Sequence, residues 1–475
     1  MQWVFDRASS RLTLVSIAAI YVVGLIGWTY VMGWGRVPLD FHDWAGINLP
    51  RLLFLQNSLQ AGEWPLHMQG GAALHGVTDR FLSLPDVVTS PQTLLLLVMR
   101  VEHFVVIDVL IHYSLGFWGL LLLRRHFQWS LFAFTLVFVL VMFNGHILAH
   151  YSVGHFTWGS YFLFPFILLF ILRFLDGDQS WRLIGWFALT MAYMVLAGGQ
   201  HHMTWVLLLL ALLVPFCWRR SWWLLAAAVA SGLLSAVRLL PPALELSSFR
   251  SAGLVSDVIG FPSLTHVLVA MTVLRREVSA FNIALPGNIW FFDNAFYEFT
   301  AFVGLAGMVF LIAGTYYWLR ESSRQYPQLV VPIFALIALS LGSTYRLVRL
   351  TGVPLLEGER YTARLFSLPL VMLIVLSATA IDRVLRRASI EPWQRLVALI
   401  ALAYAALDIA AATRLWRVAV SSGMFGPDPF DPAWTLAVHR DDPAYVATAL
   451  AGLAITATTA VVLAVMAKRQ ATVSR

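Results

Sequence analysis

Apolar runs of about 17–22 residues recur along nearly the whole chain, and short polar connections separate them. The first run covers Leu12–Trp34, and the others centre near residues 113, 138, 167, 190, 209, 230, 308, 335, 373, 403 and 456. A helix rises about 1.5 Å per residue, so each run is long enough to cross about 30 Å of hydrocarbon. The pattern predicts an all-α polytopic membrane protein with about twelve transmembrane helices.

Composition excludes a soluble enzyme. Of the 475 residues, 59% are hydrophobic and only 12% are charged, whereas soluble domains are about 45–50% apolar and about 25% charged. The single cysteine, Cys217, excludes an intramolecular disulfide and a cysteine-based metal cluster. No basic run or aromatic and basic platform stands outside the apolar segments, so we expect no nucleic-acid partner.

Basic residues indicate how the helices are oriented. They fall in alternate short connections, at residues 124–125, 182, 219–220, 320–324, 383–395 and 468–469. The positive-inside rule places those connections and both termini in the cytoplasm. The segments 35–102, 241–297, 342–363 and 413–445 then lie on the outer face of a bacterial inner (plasma) membrane.

Tryptophans stand near the ends of several apolar runs, which predicts anchors at the two membrane surfaces. The tryptophans in question are Trp28, Trp34, Trp158, Trp181, Trp222, Trp223 and Trp318.

The first outer segment contains a compact group of reactive side chains, Asp40-Phe41-His42-Asp43-Trp44. Both carboxylates follow the first helix closely, at the depth of the lipid head groups. A loop anchored this close to a helix can hold a general base at a fixed depth. Solvated acidic residues at an interface would give the same pattern.

Motifs along the chain resemble those of bacterial YfhO-type membrane proteins, members of the GT-C glycosyltransferase superfamily. In the first outer segment, Asp43 precedes Pro50 by seven residues, and a G-x-x-P-L turn (62–66), a glycine pair (70–71) and S-x-P (83–85) follow. The later motifs are Leu239–Leu246 with Arg250, Glu298–Leu305, and Arg360–Phe366, where Thr362 replaces the usual proline. The resemblance covers roughly residues 10–385.

The resemblance implies a GT-C-like fold with interfacial helices in the first outer segment. Its catalytic core would span residues 1–385 and include the outer loops 35–102, 241–297 and 342–363. Residues 386–475 would add a C-terminal transmembrane helix pair with a short outer loop. Many YfhO-type proteins carry a large outer domain after the core. This chain departs from that pattern, which leaves the acceptor open.

The reaction that the resemblance implies is transfer of a sugar, with inversion, from a polyprenyl-phosphate donor to a glycan, lipid or protein acceptor. Asp43 is the first candidate for the general base because its spacing to Pro50 matches the motif, and Asp40 is the alternate. A positioned general base contributes about 10²–10⁴-fold to the rate.

Arg250, Arg360 and Arg364 are the candidates for binding the donor phosphate, since a guanidinium binds phosphate oxygens in pairs. We expect the three to converge on one pocket that opens sideways to lipid. Arginines that only extend to lipid head groups would show the same pattern.

The predicted sugar and acceptor pocket contains His42, His155, His201 and Glu298. No cofactor is assigned. A divalent metal held by imidazoles and an aspartate stays open, but the histidine spacings fit no known zinc pattern, so no metal ligand is named.

Two polar positions fall inside apolar runs. Asp108 and His112 are four residues apart, hence on one helix face, and are predicted to pair structurally rather than relay protons. Asp408 has the same interpretation, without a named partner.

Other classes of function stay open. Many transporters and lipid flippases also have twelve spans, although transporters usually consist of repeated halves with a site at mid-membrane, and the two halves of this chain show no similarity. A non-catalytic subunit of envelope polysaccharide assembly is a further alternative. Substituting Asp40 and Asp43 separates these classes, because a transporter should tolerate it and a transferase should not.

Overall fold

The computed structural model describes residues 4–5, 11–63, 87–244, 258–274, 296–322, 326–427 and 443–473, and these are almost entirely helical. In the first half of the chain, the α-helices are α1 (Arg11–Val31), α2 (Leu49–Gln60), α3 (Val101–Phe127), α4 (Leu131–Met142), α5 (Gly145–Val153), α6 (Phe164–Leu175), α7 (Trp181–Leu196), α8 (Gln200–Leu213), α9 (Ser221–Leu234) and α10 (Ala236–Leu244).

In the second half, the α-helices are α11 (Leu264–Thr272), α12 (Gly304–Tyr317), α13 (Val330–Leu339), α14 (Gly342–Arg349), α15 (Pro354–Glu357), α16 (Ser367–Leu385), α17 (Pro392–Leu415), α18 (Val418–Phe425) and α19 (Pro443–Val473). Shorter 3₁₀ segments join several of them, among them Pro91–Leu97, Phe156–Leu163, Val214–Arg220 and Thr362–Phe366. Helix α2 and the segment Pro91–Leu97 both belong to the first predicted outer loop.

The apolar helices confirm a polytopic helical membrane protein. In the described residues, nine helical segments are long and apolar enough to cross a membrane, and Trp181–Leu196 and Pro327–Leu339 are shorter apolar helices. Every predicted span centre falls in one of these segments. The centres at residues 209 and 230 share the segment Gln200–Leu234, which the 3₁₀ turn at Val214–Arg220 divides into α8 and α9.

Helix α16 lies at the centre of the bundle. The apolar window of the segment Thr362–Leu385 is fully buried, whereas those of α1 and the C-terminal span are only 17% and 11% buried. Apolar side chains on the outer helices therefore face lipid. The C-terminal helices pack on helices of the predicted core: α17 lies against α12, and α19 lies along α10 and α7.

The two polar positions predicted inside apolar runs both have partners. His112 Nδ1 lies 3.2 Å from Asp108 Oδ2, as the spacing of four predicted. Asp408 Oδ2 accepts a hydrogen bond of 3.1 Å from the backbone N–H of Leu305. A carboxylate at a helix N-terminus satisfies an otherwise unpaired donor and interacts favourably with the helix dipole, so Asp408 stabilises the start of α12.

Four of the tryptophans that we expected at the membrane surface are buried in the protein instead. Trp28 and Trp223 are 0% exposed, Trp318 is 1% exposed and Trp158 is 5% exposed. The prediction of surface anchors is wrong for these four because proximity to the end of an apolar run does not tell which side of the helix faces the bundle.

A short extended segment at residues 258–261 joins two loops that are distant in sequence. Ile259 N–H donates to Arg360 O (2.8 Å) and Ile259 O accepts from Thr362 N–H (2.8 Å), while Phe261 N–H donates to Ser340 O (3.0 Å). A Cβ atom on Gly260 would overlap Thr362, Gly342 and Ser340, so this crossing requires glycine. These bonds fix the backbone that carries Arg360 and Arg364.

Candidate functional site

The first predicted outer loop packs directly against the end of α5. Asn48 Nδ2 donates to Asp43 O at 2.9 Å and also to Gly154 O. Gly154 has a φ of +107°, and a Cβ atom there would overlap the backbone of Asp43 and Trp44. The close approach places the Asp43 side chain beside the residues that follow α5.

Asp43 is paired with His155, which immediately precedes the 3₁₀ segment Phe156–Leu163. His155 Nε2 lies 2.7 Å from Asp43 Oδ2, and the two side chains are 10% and 24% exposed. Asp43 Oδ1 is 3.4 Å from His42 Nδ1, which also lies 3.2 Å from Val153 O. One carboxylate oxygen is thus held by His155, and the other faces His42.

Burial lowers the pKa of His42 below its ordinary value of 6.5, and the Asp43 carboxylate opposes part of that shift. The residue adopts a φ of 45°, a conformation that is uncommon for residues other than glycine but is enriched in histidine, asparagine and aspartate. Its ring packs on Phe425, with centroids 4.4 Å apart.

A second histidine, His150, contacts His155 on the side away from Asp43. His155 Nδ1 and His150 Nδ1 are 2.6 Å apart. A neutral imidazole carries one N–H, so a neutral His155 that donates from Nε2 to Asp43 has an unprotonated Nδ1. That Nδ1 can accept a hydrogen bond from Nδ1–H of a neutral His150. His150 Nε2 then lies 3.9 Å from Glu298 Oε2, beyond hydrogen-bonding distance. The rings of His150 and Trp158 stack with centroids 4.5 Å apart.

Glu298 and Arg364 form a buried ion pair. Arg364 donates from both Nε and Nη2 to the two oxygens of Glu298, and the side chains are 13% and 1% exposed for arginine and glutamate respectively. The Arg364 guanidinium also lies 4.9 Å from the ring centroids of Trp158 and Tyr361. An arginine has five N–H donors, so those on Nη1 are not used by this pair.

Tyr361 stands among the charged groups of the site. Its ring centroid is 5.1 Å from the Arg360 guanidinium and 4.9 Å from that of Arg364. Burial and the Glu298 carboxylate raise the pKa of Tyr361, Arg360 and Arg364 oppose the rise, and Asp43 adds to it. Asp43 is linked to Arg364 through His155 and Trp158, whose ring centroids lie 5.2 Å apart, with the Arg364 guanidinium on the Trp158 ring.

His201 belongs to the neighbouring part of the same region. Its Nδ1 is 2.7 Å from Glu359 Oε1, and Glu359 is 2% exposed. The ring of His201 lies 5.8 Å from that of Trp158, centroid to centroid. The structure thus brings together six predicted side chains from separate parts of the chain: His42, Asp43, His155, Glu298, Arg360 and Arg364, with His201 beside them.

Of the other two predicted residues, one lies apart from the cluster and one lies outside the described residues. Asp40 is exposed, and no contact described for the cluster includes it. Arg250 lies outside the described residues. Of the three arginines that were predicted to converge, the structure therefore describes Arg360 and Arg364. Within the described part of the chain, no group of three or more His, Cys, Asp or Glu side chains has a geometry that could hold a metal ion.

Four residues of the cluster were not predicted to belong to the site: Trp158, Tyr297, Glu359 and Tyr361. The ring of Tyr297 meets those of His42 and His155 edge to face, with centroids 5.3 and 5.1 Å apart. Tyr297, Glu359 and Tyr361 lie directly beside Glu298 or Arg360, so adjacency to a predicted charged residue was the available signal. Trp158 offered none, because its sequence context is apolar and aromatic.

The chain matches no protein-family model, and a search of curated proteins found no match.

Proposed function

We propose that the chain is an integral-membrane glycosyltransferase with a GT-C-like fold that moves a sugar from a polyprenyl-phosphate donor to a glycan, lipid or protein acceptor. The observation that carries the proposal is the Asp43 carboxylate, bonded to His155 at 2.7 Å in the same cluster as Arg360 and Arg364. A fixed carboxylate in one cluster with two guanidinium groups would supply a base and a phosphate site. The site would face the outside of a bacterial inner membrane, with both chain termini in the cytoplasm.

Asp43 would act as the general base. The acceptor hydroxyl gives its proton to the carboxylate while its oxygen forms a bond to the anomeric carbon, on the side opposite the donor phosphate. The bond between that carbon and the phosphate oxygen breaks, and its electron pair leaves with the polyprenyl phosphate. Because His155 holds Oδ2, the proton would go to Oδ1, on the side of His42.

Arg360 and Arg364 would bind the leaving phosphate together with Arg250. Glu298 compensates much of the charge of Arg364, so we assign Arg364 mainly an orienting role through its remaining N–H groups. The donor tail must stay in hydrocarbon while its phosphate lies at head-group depth, which requires that the site open sideways to lipid.

A pair of neighbouring aspartates provides the test. Membranes that contain the chain would be incubated with polyprenyl-phosphate donors carrying radiolabelled glucose, mannose or arabinose, and the label transferred to an acceptor fraction measured. Asp43→Asn should lower transfer by about 10²–10⁴-fold. The exposed Asp40→Asn is the matched control and should retain transfer. No transfer from any donor by the native chain, or equal transfer by both variants, would contradict the proposal.

A proton-coupled transporter is the second candidate. Titratable groups buried near the membrane often mark proton pathways, and Asp43, His155 and His150 form such a series. Proteoliposomes loaded with a pH-sensitive dye distinguish the two: a transporter takes up protons when its solute is added, whereas a transferase shows label transfer without proton movement across the bilayer.

A further inference from the structure

An apolar groove runs along the side of the bundle between α3, α6 and α7, with a volume of about 810 Å³. It is lined mainly by leucine, isoleucine and aromatic side chains. Large apolar residues of its lining are exposed at the bundle surface: Trp118 is 55%, Trp186 is 50% and Leu189 is 52% exposed. The groove is therefore open to the surrounding lipid, and its lining residues are separate from the Asp43 cluster.

The two ends of the groove differ in charge. At one end lie Arg173, the last basic residue of α6, and Arg182, in the first turn of α7. Arg173 is paired with Asp178 at 2.7 Å, and Arg182 is exposed. At the other end Gln92 donates a hydrogen bond to the Tyr193 hydroxyl, which closes the groove with neutral groups.

Length limits what the groove can hold. On α3 it extends from Ile111 to Leu122, a stretch of helix with a rise of about 16 Å. That is close to half of the roughly 30 Å of hydrocarbon in a bilayer. The groove thus matches an acyl chain within one leaflet, and the arginines lie where the head group of that leaflet would be.

We propose that this groove binds an anionic phospholipid, with one acyl chain along α3 and its phosphate-containing head group at Arg182 and Arg173. The negative head group complements the arginine end, and the single-leaflet length fits a phospholipid rather than a chain that crosses the bilayer. The inference holds whichever reaction the Asp43 cluster performs.

Lipid binding to the purified, delipidated full-length chain tests the proposal. Phosphatidylglycerol and phosphatidylcholine with identical acyl chains would be titrated in detergent and binding measured by native mass spectrometry. An arginine near an anionic head group contributes about 1 kcal/mol, or about fivefold in affinity. Phosphatidylglycerol should therefore bind at least about fivefold tighter than phosphatidylcholine, and Arg182→Gln should remove most of that preference.

Two further variants separate the head-group site from the groove. Arg320→Gln removes an exposed arginine outside the groove and should leave both affinities unchanged. Thr190→Trp fills the groove and should weaken the binding of both lipids to the same extent. Equal binding of the two lipids by the native chain, or an unchanged preference in Arg182→Gln, overturns the proposal. Arg182 is exposed, so Arg182→Gln should fold and tests the proposal even if Thr190→Trp does not fold.

Discussion

Arg364 donates two hydrogen bonds to the carboxylate of Glu298, a residue 66 positions earlier in the chain. Both side chains are largely buried, so each requires the other to offset the loss of hydration. Of the contacts in the site, this pair contributes most directly to holding the segments around residues 298 and 364 together.

Removing one partner of this pair should cost about 3–5 kcal/mol in the free energy of unfolding, because it leaves a buried charge uncompensated. Glu298→Gln and Arg364→Gln would be measured singly and together by chemical denaturation in one detergent. The double variant should lose less free energy of unfolding than the sum of the losses in the two single variants. Glu102→Gln breaks the exposed pair with Arg100 and should cost no more than about 1 kcal/mol. Additive losses would argue against a direct coupling.

His155 should act by positioning Asp43, so its effect depends on the N–H that it donates. His155→Gln keeps an N–H donor at similar reach and should retain most sugar transfer. His155→Leu removes the donor and should lower kcat by about 10²-fold, the scale expected for a misplaced catalytic group, with KM for the donor little changed. A leucine variant as active as the glutamine variant would remove His155 from the mechanism.

The lowered pKa of His42 predicts that this residue makes the fold less stable in acid. Below pH about 6.5 the unfolded chain protonates His42 while the folded chain still holds it neutral, so the unfolded state binds more protons and stability falls as pH falls. This loss of stability stops growing once the pH falls below the lowered pKa that His42 has in the folded chain. The charged or titratable groups facing the ring are Asp43, His155, Glu298 and Tyr297.

His42→Asn suits the measurement because asparagine tolerates a positive φ. Melting temperatures of the native chain and the variant would be compared between pH 8 and pH 4.5. The native chain should lose more stability than the variant below pH 6.5. Parallel curves for the two proteins would show that His42 does not contribute.

Membrane orientation can be measured with single cysteines in a Cys217→Ser background. Leu350 is 82% exposed in a predicted outer loop, and Trp218 is 74% exposed in a predicted cytoplasmic turn. We expect an impermeant maleimide to label Leu350→Cys in intact cells, and to label Trp218→Cys only after the membrane is opened. The reverse pattern would invert the proposed topology and place the Asp43 cluster in the cytoplasm.

Hydropathy was sufficient to predict the apolar helices, since about 20 consecutive apolar residues are required wherever a helix crosses lipid. It did not predict which face of each helix points inward, and so Trp158 and Trp223 were misplaced. The contact between Asp43 and His155 joins residues 112 positions apart. Each was predicted to be functional from its own surroundings, but their pairing depends on the packing of the first loop against α5.

The pairing of charged side chains was harder to predict than which of them belong to the site. Arg364 was expected to face a phosphate and Glu298 a sugar, because each motif was considered separately. The structure joins them, since a buried carboxylate and a buried guanidinium are each costly alone. The 258–261 crossing also left no pattern in the sequence beyond Gly260, because its bonds are made by the backbone.

The separation of Glu298 and Arg364 in sequence also bears on biosynthesis. Translation proceeds at about 5–20 residues per second, so Arg364 emerges about 3–13 seconds after Glu298. During that interval the glutamate has no arginine partner from this pair. We expect the nascent chain to hold the segment around Glu298 at the translocon until the helix that follows Arg364 arrives.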